Sequence, residues 1–131
     1  MGKLDFEIST RAKEEFIDLT SKVRKIVEDS GILTGICTVF VPHTTAGVTI
    51  NENADPSVQS DILKTLKTMV PGTLHYTHME GNSPAHVKAS LMGSSVQIMI
   101  NNGSLVLGTW QGIYFCEFDG PRHRKVYISA G

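Results

Sequence analysis

Histidines, paired hydroxyls and a few carboxylates and arginines are the side chains of this 131-residue sequence that could do chemistry. His43 stands between Pro42 and Thr44-Thr45 in VFVPHTTAGVTINENADP, where two β-branched runs meet. His78 lies in HYTHMEGNSPAH, and His86 closes that stretch in the first turn of a short helix. None of the five histidines forms HExxH or another compact zinc signature. Imidazoles from separate segments can still meet on one divalent ion and leave positions open for water or substrate oxygens. The alternative is three ordinary, half-buried or exposed histidines. Thr44 and Thr45 add hydroxyls beside His43 and before Gly47. Hydroxyls, backbone N–H groups and a cation are what a phosphate ester requires, although threonine also simply suits strands.

Further candidates follow the same logic. Ser94 and Ser95, in MGSSVQ, stand where a helix gives way to a strand and could donate to an anion there. Arg122 follows the Asp119-Gly120-Pro121 turn and could fork onto a phosphate. Arg124 and Lys125 read as solvated surface charges. Glu52 and Asn53 could steady the imidazoles or a cation, whereas Asp55 reads as a helix cap. Trp110, the only tryptophan, sits in LGTWQG and reads equally as core or as a flat wall for an aromatic ring.

The elements that must position these groups are legible as changes of period. Residues 3–8 alternate as a half-exposed strand, and residues 15–19 suggest a second. From Thr20, a plausible N-cap, Val23, Ile26 and Val27 share a helical face that Gly31 stops. Residues 36–41 and 46–51 read as a strand pair around the His-Thr-Thr. Asp55-Pro56 opens a helix with an apolar stripe of Val58, Ile62, Leu63, Leu66, Met69 and Val70, ended by Pro71-Gly72. A loop follows to Ser83-Pro84, which starts a short helix ending near Gly93. Residues 96–100 alternate, Asn102-Gly103 predicts a type I′ hairpin, and strands over 112–118 and 124–129 finish the chain. The pattern predicts an α+β fold: one compact domain over residues 1–131, a mostly antiparallel sheet, two main helices and one short helix.

Composition bounds the function. At 40% apolar and 19% charged residues, the chain can bury a core without disulfides or a structural metal. A net charge of −1 gives no global basic field for nucleic acid, and no basic amphipathic helix points to a membrane. Apolar runs are strand-sized, far below the ~20 residues of a membrane span. The N-terminal stretch lacks an apolar signal core, which predicts a cytoplasmic protein. Gly2 follows Met1, but Phe6 stands where an acylation motif wants Ser or Thr. Cys37 and Cys116 read as small buried core residues.

Four blocks, PHTTAGVTINENADP, EGNSPAH, SLMGSSV and LGTWQGIYFCEFDGPR, resemble in this order the YjbQ-like family, grouped as secondary thiamine-phosphate synthases, over about residues 4–130. The resemblance implies a compact α+β homotrimer with sites near subunit boundaries. It implies a metal-assisted transferase that joins a pyrimidine diphosphate to a thiazole phosphate and releases pyrophosphate. His43, His78 and His86 would then hold a divalent metal; imidazoles favour zinc or another transition metal, while a diphosphate favours magnesium. Thr44, Thr45, Ser94, Ser95, Thr109, Gln111 and Arg122 would bind substrate and its phosphates, with Trp110 against the rings. Glu80 and Asn82 would join Glu52 and Asn53 behind the ligands, and Glu117 or Asp119 would orient the aminopyrimidine as catalytic groups. Two alternatives stand beside it: a metal-dependent phosphoesterase or other hydrolase, and a non-catalytic trimeric binder of a phosphorylated metabolite.

Overall fold

A computed structural model describes residues 3–131. Met1 and Gly2, and with them the acylation position weighed above, lie outside the described residues. In chain order the elements are β1 (Lys3–Ser9), β2 (Glu15–Asp18), α1 (Thr20–Ser30), β3 (Thr34–Phe40), β4 (Ala46–Glu52), α2 (Ser57–Met69), α3 (Ser83–Met92), β5 (Ser95–Asn101), β6 (Ser104–Leu105), β7 (Gln111–Glu117) and β8 (His123–Ala130). The α+β class holds, with all strand pairs antiparallel. The strands form two sheets where one was expected: β1-β8-β3-β5-β6 and β2-β7-β4. In consequence β3 and β4 are not partners. β3 pairs with β5 and β8, β4 pairs with β7, and residues 41–45 carry the chain from one sheet to the other.

Alternation decides which face each strand buries. In β8, Arg124, Val126, Ile128 and Ala130 point inward, and in β3 Cys37 and Val39 do so. They meet Ile113 and Phe115 of β7, Val48 of β4, and Val23 and Val27 on the inner stripe of α1 in one core. β7 is buried on both faces. On its other side Cys116, with Phe118 beyond it, packs on Leu66 of α2 and Ala85 and Ala89 of α3 in a second, smaller cluster. The order of layers is therefore five-stranded sheet with α1, three-stranded sheet, then α2 and α3.

Local chemistry sets the ends of the helices. Gly31 closes α1 at φ 74°, a left-handed conformation that costs glycine little. Thr20 is the first helical residue and not the cap. Its hydroxyl donates to Asp18 Oδ1 (2.6 Å) and accepts the Ile113 N–H (2.9 Å), which ties α1 to β7. Pro56 takes the N-cap position of α2, and Asp55 Oδ1 accepts the Ser57 N–H and hydroxyl from one residue further out. The β5–β6 hairpin turns through Asn102 (φ 51°) and Gly103 (φ 76°), as a type I′ turn requires.

Candidate functional site

Where the chain crosses between sheets, the His-Thr-Thr faces two other segments: the loop leading into α3, and the turn between β7 and β8. Together they line a cleft of ≈ 350 Å³ formed by Pro42, His43, Thr44, Thr45, His78, Glu80, Asn82, His86, Arg122 and Arg124. A second hollow of ≈ 480 Å³ shares His43, Thr44 and His86 and continues toward Ser90, Gly93 and Ser94.

A buried ion pair forms the floor. Glu117 is fully buried and Arg124 is 3% exposed. Arg124 Nε donates to Glu117 Oε1 (2.9 Å), and its Nη2 donates to Glu117 Oε2 and to Thr45 Oγ1 (2.9 Å). The Thr10 hydroxyl (2.8 Å) and the Asp119 N–H (3.0 Å) complete the carboxylate's partners. Burial pushes the Glu117 carboxyl up, but the Arg124, Asp119 and Thr10 hydrogen bonds outweigh it and hold it below the usual value. Leaving either charge of such a pair unpartnered costs about 3–5 kcal/mol. The pair therefore anchors Thr45 and the base of the crossing segment. Glu117 is thus corrected from a catalytic group to a buried brace, and Thr45, 4% exposed, from a ligand-binding hydroxyl to a part of that brace. Arg124, read from sequence as solvated, is the residue that reading missed. Its signal was available: it falls on the same alternation as Val126, Ile128 and Ala130.

Above this floor the groups are freer. His43 Nε2 accepts the Lys125 backbone N–H (2.9 Å). Burial, and then the Arg124 charge, lower the His43 pKa, so the ring is neutral near pH 7 and carries its proton on Nδ1. The Thr44 side chain is exposed and has no hydrogen-bond partner among the described residues. Arg122 spends Nε on the Asp119 carbonyl (2.7 Å) and Nη2 on Asp119 Oδ2 (2.8 Å), which leaves three of its five N–H donors. Asn82 Nδ2 donates to the same Asp119 carboxylate (2.9 Å), and Asn82 stands at the N-cap position of α3, where its backbone carbonyl accepts the Ala85 N–H (3.0 Å). Asp119 is therefore a clamp that aims Arg122 and Asn82, where the expectation had a catalytic acid. The first turn of α3 adds its positive dipole end beside His86.

The expected three-imidazole metal set does not form. His78 and His86 meet edge to face with ring centroids 5.2 Å apart. A neutral imidazole has one lone pair, and His43 gives it to Lys125. Among the described residues no group of three or more His, Cys, Asp or Glu side chains is placed to hold one ion.

Other expected site residues lie elsewhere. Gln111 pairs with Glu52 at one end of the β4–β7 ladder and Glu117 with Ala46 at the other. Six strand residues put those ends about 20 Å apart. Thr109, Trp110, Gln111, Glu52 and Asn53 thus stand at the far end and not around the cleft. Trp110 is 64% exposed there, neither core nor a wall of this cleft. Glu52 accepts the Ala54 (2.8 Å) and Asp55 (3.3 Å) N–H groups, and Asn53 Nδ2 donates to Asp18 (3.1 Å), so both serve local turns. Ser95 faces outward opposite Phe40, while Ser94 does line the second hollow.

Comparison with known proteins places this geometry in a lineage. A family model described as UPF0047 protein YjbQ-like matches residues 4–130. A UPF0047 protein of Methanocaldococcus jannaschii is 50% identical over 123 residues, covering 94% of this chain and 89% of its own. The UPF0047 protein YugU of Bacillus subtilis is also 50% identical over 123 residues, covering 93% of each. A crystal structure of an uncharacterized YjbQ/UPF0047 protein from Clostridium acetobutylicum superposes with a TM-score of 0.96 at 57% identity, over 98% of this chain and 99% of that one. A YbjQ-like protein of unknown function from Sulfolobus solfataricus superposes at 0.92 with 36% identity, over 96% and 93%. These findings correct the expected activity. Relatives spanning nearly the whole chain are named by family alone or described as of unknown function, and none of those names states a thiamine-phosphate synthase or other transferase activity.

Proposed function

The chain belongs to the YjbQ-like UPF0047 family, and from that membership and the cleft geometry we propose that it binds a small phosphorylated molecule at the crossing between its sheets. One observation carries the reading: donors from three separate segments converge there without partners of their own. The Arg122 guanidinium has three unspent N–H groups, the Thr44 hydroxyl is exposed, the neutral His43 offers Nδ1–H, and the α3 N-terminus stands alongside. A phosphate group is the common anion that accepts from so many donors at once. The neighbouring hollow toward Ser94 leaves room for the rest of the molecule. We assign the chain to the cytoplasm, where its unpaired Cys37 and Cys116 fit a reducing compartment.

Calorimetric titration with inorganic phosphate and with pyrophosphate tests this, run once with chelator and once with zinc chloride so that any metal dependence is read separately. Saturable binding is expected. A charge-assisted hydrogen bond contributes about 1.5–3 kcal/mol, so Arg122→Ala weakens it roughly 10- to 100-fold. Absence of saturable heat with both anions, or unchanged affinity in Arg122→Ala, defeats the reading.

The proposal extends to assembly as a homotrimer. Among the described residues no helix covers the outer face of the five-stranded sheet, which exposes Ile36, Phe40 and Met99; this supports self-association, and the number three comes from the family resemblance.

A further inference from the structure

A separate cleft of ≈ 360 Å³ opens on the other side of Asn82, between the end of α2, the first turns of α3 and the connection from β1 to β2. Its volume is within the range of small-molecule pockets. Its least ordinary member is Lys88. This lysine sits on the buried side of α3 between Ala85 and Ala89 and is 5% exposed. Lysine is almost never so buried unless paired. Its ammonium has one partner, Glu14 Oε2 at 2.5 Å. An ammonium carries three donors, so two remain unspent, and no other partner exists among the described residues.

The surroundings say what those donors would take. Phe118, Val70 and Ala85, all buried, supply apolar walls. Lys13 and Lys67 line the cleft as exposed cations without hydrogen-bond or ion-pair partners among the described residues. The two acids that line it are already committed, Glu14 to Lys88 and Asp119 to Arg122 and Asn82. The cleft is therefore net positive, with three lysines against two committed carboxylates, and one part of its wall is apolar. We propose that it is a second ligand site, for a small organic anion such as a carboxylate with an apolar body. The anionic end would be held by Lys88 and attracted by Lys13 and Lys67, and the body would lie against Phe118. Asn82 lines both this cleft and the phosphate cleft.

Nuclear magnetic resonance titration of the isotope-labelled chain with benzoate tests this, with acetate and benzyl alcohol as probes that lack the body or the charge. Benzoate is expected to shift Ala85, Lys88 and Phe118 saturably while Thr44 stays in place. Acetate and benzyl alcohol should each bind at least tenfold more weakly. Lys88→Met should weaken benzoate at least tenfold in a chain whose spectrum stays dispersed; if that variant does not fold, Lys67→Ala should weaken benzoate and flatten its salt dependence. A linear response to benzoate, equal binding of benzyl alcohol, or unchanged affinity in the folded variant tested would overturn the proposal. The phosphate titration reads the other cleft, so failure of either reading leaves the other standing.

Discussion

His43 shows how one hydrogen bond decides what a side chain can do. With Nε2 accepting from Lys125, its proton belongs on Nδ1, and burial together with the Arg124 charge opposes a second proton. Folding therefore lowers its pKa below the ordinary 6.5. The sign follows: the stability it confers is intact above about 6.5 and is lost as pH falls through the lower folded value. Long-range nitrogen–proton spectra should show the Nδ1–H tautomer, with a titration midpoint below the ordinary 6.5. A midpoint above 6.5, or protonated Nε2 at neutral pH, would contradict this geometry. The types of His43 and Thr44 in the crossing segment, and of Arg122 in the β7–β8 turn, could be named from sequence as groups able to meet an anion, and the fold brings them to one cleft. What the sequence hid was the second use of each group. Lone pairs and N–H donors are allotted by neighbours distant in the chain, such as Lys125 to His43 and Asp119 to Arg122. Arg124 looks like a surface charge and Glu117 like a catalytic group until the β8 alternation turns Arg124 inward onto that carboxylate seven residues away.

At the scale of elements, periodicity located the strands and helices that bury one face, such as β8, β5 and α1, because their apolar residues repeat accordingly; α3 was located by Ser83-Pro84 and Gly93, and β7 is buried on both faces. Pairing was less legible. A short connection between β-branched runs predicts a hairpin, yet the five residues 41–45 send β4 into the other sheet. Two hydrogen bonds hold that departure: the Val41 N–H to Ser94 O (2.8 Å) and the Val48 N–H to Gly93 O (3.1 Å) fasten both ends to the turn after α3. The fastening needs Gly47. A Cβ there would lie 2.6 Å from Gly93 O and 3.3 Å from Met92 Cβ, and backbone cannot swing aside as a flexible side chain does. Gly47→Ala should therefore cost about 1–3 kcal/mol, the usual penalty of overpacking, measured by urea denaturation. Because α3 carries His86, the same variant should bind phosphate more weakly. Unchanged stability would mean that β4 and α3 are not held this closely.

The two sheets of the molecule are unequally covered. The three-stranded sheet lies between the main core and α2 with α3, whereas among the described residues no helix packs on the outer face of the five-stranded sheet. Down β3 that face carries Thr34, Ile36, Thr38 and Phe40; down β5 it carries Ser95, Gln97, Met99 and Asn101. Neither row contains a charge, and Met99 (63% exposed) stands opposite Ile36 (47% exposed). The charges of this face, Lys125 of β8 and Asp5 and Glu7 of β1, lie toward its other edge. Isolated exposed apolar residues need no explanation, but neighbouring ones in uncharged rows mark an interaction surface. Sequence alternation shows which residues point outward from β3 and β5, but not that nothing covers them, since that depends on where the helices dock. If copies of the chain meet here, sedimentation velocity should give a species three times the 14.3 kDa chain mass. Ile36→Lys with Met99→Glu should then return it to monomer without loss of fold, since both side chains lie outside the core. A wild-type chain that sediments at 14.3 kDa, or a double variant still at the trimer mass, would remove this face from the assembly.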